Sequence, residues 1–259
     1  MNTGTLERFV MLWEKYFPGA GLPVTFELID SGTEREDAER LPPSKNWRCI
    51  ICDLAKVRKG KTLILGNDSV SCGGGRFFTG YEKERFPDFR YFLSCGKPGF
   101  MEGERYKIDP ETVDEAIKSD RHIPIEGKEY LFKRWDMLGP ADNPEVVIFF
   151  AKGEILSGLF TLANFDRGDP FGGVVCPFGS GCCTVIYYPW FEQQSENPRA
   201  VLGMFDPSAR PCVPADELTF AVPMNMFEKM ISYMEESFLT TPAWDKVKRK
   251  IAREMKAKS

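Results

Sequence analysis

Apolar residues recur at steps of three and four along several segments of the chain, which is the spacing of a helix with one buried face. In residues 5–17 this face carries Leu6, Phe9 and Trp13, and Pro18 with Gly19 ends the pattern. Further helices are predicted over 44–59, 126–138, 152–165, 225–238 and 243–257. Asp109 before Pro110 predicts one more helix start, because Asp caps helices and Pro suits the first turn.

Shorter apolar runs, rich in β-branched and aromatic residues, predict strands. They lie at residues 23–30, 61–65, 144–151, 171–176 and 218–222. Helices and strands are interspersed, so the predicted fold class is α+β (mixed α/β). We expect a single globular domain over residues 1–259, with extra N-terminal and C-terminal helices, the latter over 224–259.

The two halves of the chain follow the same order of predicted elements. Each has a strand after a proline, a helix, a second strand and a glycine cluster beside a cysteine. We therefore predict two similar β-α-β halves, 20–81 and 144–223, related by an internal duplication. An irregular and helical insert, 82–143, joins them, and equivalent turns of the two halves would meet at a cleft.

Composition and charge narrow the classes of function. The chain is 42% hydrophobic and 28% charged, which is ordinary for a globular protein. Its net charge of −4 disfavours binding to nucleic acid, which needs a basic surface. The apolar runs are too short to cross a bilayer, and the N-terminus has no signal-peptide pattern. We expect a cytoplasmic protein with no nucleic-acid or membrane partner; the sequence leaves its oligomeric state open.

Cysteine is the most informative residue type here. There are eight cysteines and one histidine, His122. In a reducing cytoplasm such cysteines are free thiols, metal ligands or redox groups. With a single imidazole in the chain, thiolates are the main candidates for binding a soft metal.

Cys72 precedes three glycines, Gly73, Gly74 and Gly75, between a predicted strand and a turn or helix. Glycines there let backbone N–H groups approach an anion, and a helix N-terminus would lower the pKa of the thiol. We predict that Cys72 is a catalytic thiol and that the glycines bind a ligand. The alternative is a tight turn that needs positive φ.

The second cluster holds three cysteines within eight residues, Cys176 to Cys183. Its glycines and serine, Gly179, Ser180 and Gly181, form a turn that we predict to bind a ligand. Together the two clusters predict an iron–sulfur cluster or another soft metal, although the second spacing matches no standard ferredoxin motif. The predicted ligands are Cys72, Cys176, Cys182 and Cys183.

Cys49 and Cys52 form a C-x-x-C motif, which is typical of a redox dithiol or of half a metal site. The helix predicted from Ser44 would place Cys49 about a turn inside it, whereas a redox dithiol has its first cysteine at the helix N-terminus. Two small buried residues are therefore an equally open interpretation.

These motifs resemble the family called domain of unknown function 169, an uncharacterised archaeal and bacterial conserved region. The resemblance rests on the segment from Cys49 to Lys61, on Ser71 to Gly75, on Val146 to Phe149, and on Leu218 to Pro223 before a C-terminal helix. It extends over roughly residues 5–240. The resemblance implies a prokaryotic cytoplasmic protein and no established activity.

Two functions follow as expectations. The first is a protein that binds a soft metal or iron–sulfur cluster, or uses reactive thiols, in a cleft lined by glycine and cysteine. The second is a non-enzymatic protein whose two halves bind a small molecule. Whether the protein is an enzyme is left open.

Overall fold

The computed structural model describes residues 3–44 and 46–256, with side chains for 4–44 and 46–253. The α-helices of this part of the chain are α1 (Thr3–Tyr16), α2 (Ile50–Val57), α3 (Gly73–Phe78), α4 (Phe89–Phe92), α5 (Pro110–Ile117), α6 (Gly153–Ala163), α7 (Tyr188–Gln193), α8 (Met224–Tyr233) and α9 (Pro242–Lys256). The strands are β1 (Val24–Asp30), β2 (Glu39–Arg40), β3 (Leu63–Leu65), β4 (Lys128–Arg134), β5 (Val146–Ala151), β6 (Val174–Val175), β7 (Ala200–Gly203) and β8 (Leu218–Pro223).

All eight strands join one mixed sheet in the order β2-β3-β4-β1-β5-β8-β7-β6. The predicted α+β class is confirmed. The central strands β1 and β5 pair antiparallel. On one side, β1–β4 and β4–β3 are antiparallel and the edge pair β3–β2 is parallel. On the other side, β5–β8 and β8–β7 are antiparallel and the edge pair β7–β6 is parallel. This repeated order agrees with a duplication, which stays a prediction, as does the division into halves.

Two predicted helices need correction. The segment 126–138 was expected to be helical and is strand β4, whose alternate residues Tyr130 and Phe132 are buried on one face of the sheet. Burial across neighbouring strands therefore overrides the intrinsic preference of this charged segment. The helix expected from Ser44 begins only at Ile50, because the Ser44 hydroxyl donates to the Asn46 carbonyl within the loop.

The capping prediction at Asp109 is confirmed. The Asp109 carboxylate accepts a hydrogen bond of 2.7 Å from the Thr112 backbone N–H, and Pro110 is the first residue of α5. This bond satisfies one of the N–H groups that every helix start leaves unpaired.

The sheet is covered on both faces. Val146 and Ile148 of β5 point into an apolar layer with α2 and the helical segment 181–193, while Val147 and Phe149 point into a layer with α1, α6 and α8. Because both faces are buried, β5 is almost continuously apolar. Among the described residues, no helix combines the length and apolar composition needed to cross a membrane.

A charged network lies on the β1–β4 part of the sheet. Lys133 of β4 is 3% exposed and donates to Asp142, which is 1% exposed, over 2.8 Å. Asp37 and Arg35, from the loop after β1, complete the network. Each buried charge is thus paired, as burial requires.

Candidate metal and thiol site

The C-x-x-C motif lies at the start of α2. Cys49 is the residue before the helix, with extended backbone at φ −95° and ψ 122°, and Cys52 lies in the first turn. The later helix start therefore places Cys49 at the helix N-terminus, where the first cysteine of a redox dithiol is found. Cys49 is half-buried and Cys52 is exposed.

Cys212 completes this site from the other end of the chain. It ends a short 3₁₀ turn, Arg210–Cys212, and forms a disulfide with Cys52 across 160 residues, with the two Cα atoms 4.8 Å apart. The sulfur atoms of Cys49, Cys52 and Cys212 all lie within 4.8 Å of one another. We call these three residues the sulfur triad.

Sequence reasoning missed Cys212. No local pattern marks this residue, which follows Pro211 in an irregular segment. Only the two cysteines of the C-x-x-C motif had a sequence signal. The bond between Cys52 and Cys212 depends on the approach of the 3₁₀ turn to α2.

Two further cysteines, the half-buried Cys72 and the buried Cys182, lie near the triad. Burial raises the pKa of Cys49, and the nearby charges of Cys72 and Asp206 raise it further, while hydrogen bonds from the backbone N–H groups of Cys52 and Ile51 lower it. Burial also raises the pKa of Cys182 well above its usual value, followed by the charges of Cys49 and Cys72. Cys72 and Cys182, predicted as ligands from separate clusters, are thus both close enough to Cys49 to interact with it electrostatically.

The other two predicted metal ligands, Cys176 and Cys183, lie in surroundings that differ from each other. Cys183 is buried on the side of Gly179 and Tyr188, and burial is the main cause that raises its pKa well above the usual value. Cys176 is exposed, and burial of part of its side chain raises its pKa. The predicted set of four is therefore divided between different surroundings, and a ligand role for Cys176 and Cys183 stays a prediction.

The glycines after Cys72 lie inside α3. A Cβ added at Gly73 would lie 3.0 Å from the ring of Phe86, and one at Gly75 would lie 3.2 Å from Val70, while Gly74 faces open space. Gly73 and Gly75 thus allow close approach of the protein's own side chains. A ligand-binding role for the three stays a prediction.

The second glycine turn packs against α2. A Cβ at Gly181 would lie 2.7 Å from Ile51, and the Gly181 N–H donates to the Asp206 carboxylate over 3.2 Å. The Ser180 hydroxyl is buried and has no hydrogen-bond partner among the described residues. Gly181 therefore brings the helical segment 181–193 close to the start of α2, and so brings Cys182 close to Cys49.

A cavity of about 460 Å³ lies elsewhere, at the edge of the first half of the sheet. Its lining includes Arg40, Tyr81, Lys128 and Glu129. The volume suits a small ligand. This cavity is separate from the glycine and cysteine segments, so small-molecule binding between the halves stays a prediction.

The fold and this site define a class: a mixed α+β protein with a cluster of cysteines where two parts of the chain meet on one face of the sheet. The chain belongs to the family domain of unknown function 169, described as an uncharacterised ArCR, whose model matches residues 20–233. The predicted resemblance is confirmed. No curated protein and no solved structure matches the chain.

Proposed function

We propose that this protein binds a soft metal ion through the thiolates of Cys49, Cys52 and Cys212. The observation that carries the proposal is the mutual distance of the three sulfur atoms, none more than 4.8 Å from another. Sulfurs bound tetrahedrally to one zinc ion at about 2.3 Å lie about 3.8 Å apart. The most widely separated sulfurs would have to approach by about 1 Å, whereas the bonded Cys52 and Cys212 sulfurs would have to move apart after reduction to reach that geometry.

Metal binding and the disulfide exclude each other. In the disulfide form, Cys52 and Cys212 are bonded to each other and offer no thiolate. An external thiol reductant must first supply two electrons, and the two sulfurs take up two protons to become thiols, whose protons the metal then displaces on binding. The proposed binding therefore requires a reducing environment, such as that of the expected cytoplasmic location.

Cys72 and Cys182 are the candidates for completing the coordination. Both interact electrostatically with Cys49. A closed structural zinc site and an iron–sulfur cluster each take four protein ligands. The triad supplies three of these ligands, so one of Cys72 and Cys182, both retained from the sequence prediction, would supply the fourth.

The test is metal and acid-labile sulfide analysis of protein purified without oxygen and fully reduced. We expect about one metal ion or one cluster per chain, reduced at least tenfold in Cys49→Ser, Cys52→Ser and Cys212→Ser. Broad absorption near 400 nm together with sulfide would assign a cluster, and a colourless metal-bound protein a single ion.

Cys95→Ser is the matched control. Cys95 is exposed, and its sulfur hydrogen-bonds to its neighbours Ser94 and Gly96. We expect this variant to bind metal as the unmodified protein does. Equal metal contents in Cys95→Ser and all three triad variants would refute the proposal.

A further inference from the structure

The sulfur triad contains one more sulfur than a disulfide uses. Cys49 is a free thiol, and its sulfur lies within 4.8 Å of both sulfurs of the Cys52–Cys212 bond. A thiolate next to a disulfide is the arrangement from which thiol–disulfide exchange proceeds. Cys52, the residue whose sulfur would be attacked, is exposed, and Cys212 is half-buried.

We propose that Cys49 exchanges with this disulfide, so that the bond migrates from Cys52–Cys212 to Cys49–Cys52. The Cys49 thiol gives its proton to solvent, and its sulfur attacks the Cys52 sulfur. The Cys52–Cys212 bond breaks, and its electron pair leaves on the Cys212 sulfur, which takes up a proton. One disulfide and one free thiol are present before and after, so the step needs no oxidant or reductant.

Position along the chain favours Cys52 as the sulfur that is attacked. Cys49 is the residue immediately before α2, in extended backbone, and Cys52 lies in the first turn of the same helix. C-x-x-C pairs at a helix start form disulfides in redox proteins. The new bond would therefore close within the first turn of α2.

The exchange changes what the disulfide connects. In the Cys52–Cys212 form it links residues 160 apart and ties the 3₁₀ turn at Arg210–Cys212 to α2. In the Cys49–Cys52 form the turn is released and Cys212 becomes a free thiol. The protein thus alternates between a cross-linked and an open form at constant oxidation level. The step uses sulfurs of the proposed metal site but requires no metal.

The test follows disulfide connectivity in the oxidised, unmodified protein with a chelator present. The protein is incubated at several pH values from about 8.5 to 9.5, at and above the usual pKa of a thiol, then quenched with acid. Free thiols are alkylated, and peptides are mapped by mass spectrometry. We expect a Cys49–Cys52 peptide to appear as Cys52–Cys212 declines, while alkylation shifts from Cys49 to Cys212.

The total number of thiols should stay at six, the number of free cysteines in the structure. Cys49→Ser should keep only the Cys52–Cys212 bond, Cys212→Ser should form Cys49–Cys52, and Cys95→Ser should behave like the unmodified protein. A map that shows only Cys52–Cys212 after prolonged incubation would overturn the proposal, as would migration to Cys72 or Cys182. Because the assay is free of metal, its result is independent of whether the metal proposal holds.

Discussion

Replacing Gly181 by alanine tests how the cysteine site is assembled. The added Cβ would lie 2.7 Å from Ile51 Cγ1 and 3.0 Å from Ala209 Cβ. Ile51 lies between Cys49 and Cys52 in sequence, so the clash falls on the start of α2, where two of the three triad cysteines lie. Overpacking a close contact costs roughly 1–3 kcal/mol, and the change from Gly to Ala in a helix returns at most about 1 kcal/mol.

Gly74→Ala is the matched control. Gly74 is also helical, but a Cβ added there meets nothing within 4 Å. We expect Gly181→Ala to lower the free energy of unfolding by about 1–2 kcal/mol and Gly74→Ala to raise it by up to about 1 kcal/mol. The expected difference between the two variants is therefore about 2 kcal/mol.

Urea unfolding measures this difference directly. Both variants are compared under reducing conditions, so that the Cys52–Cys212 bond does not contribute, and the denaturant slope is checked for equality. If Gly181→Ala proves as stable as Gly74→Ala, then the close packing of Gly181 against α2 does not hold the two segments together, and the reasoning is wrong.

Two further predictions concern the charged network. Lys133→Met should lower the free energy of unfolding by about 3 kcal/mol, because it leaves the buried Asp142 carboxylate without one of its cations. Lys128→Met removes an exposed ion pair and should cost less than about 1 kcal/mol. Equal losses of the two variants in urea unfolding would contradict this reasoning. Hydrogen bonds from Arg35 and Lys133 lower the pKa of Asp37 from 3.8 to about 2. Because the pKa of Asp37 is lower in the folded than in the unfolded state, its ionisation stabilises the fold fully above pH 3.8. This stabilisation is lost as the pH falls through about 2. In Asp37→Asn, the free energy of unfolding should therefore fall less steeply as the pH is lowered below 3.8. An unchanged pH dependence would argue against the ion pairs of Asp37 with Arg35 and Lys133.

Much of the local structure follows from the sequence because its signals are local. Periodic apolar residues predict α1 and α6, and Asp109 before Pro110 marks the start of α5. These signals work because a helix or a cap is built from residues a few positions apart. The same holds for β5, whose unbroken apolar run reflects burial on both faces.

The strand β4 shows where local signals fail. Its sequence, KEYLFKR, lacks β-branched residues and carries charges at both ends. It becomes a strand because β1 and β3 flank it and because Tyr130 and Lys133 find buried partners on opposite faces of the sheet. Those partners come from distant segments, so no window of sequence contains the information.

Sequence alone determined that this chain is a mixed α+β protein and made cysteine the main candidate for its chemistry, because composition and periodicity are properties of the chain itself. Only the tertiary structure decided which cysteines meet. Cys212 reaches Cys52 across 160 residues, and Cys182 lies near Cys49 because Gly181 lets two helices approach. Contacts of this kind depend on how the sheet orders its strands and how closely its helices pack.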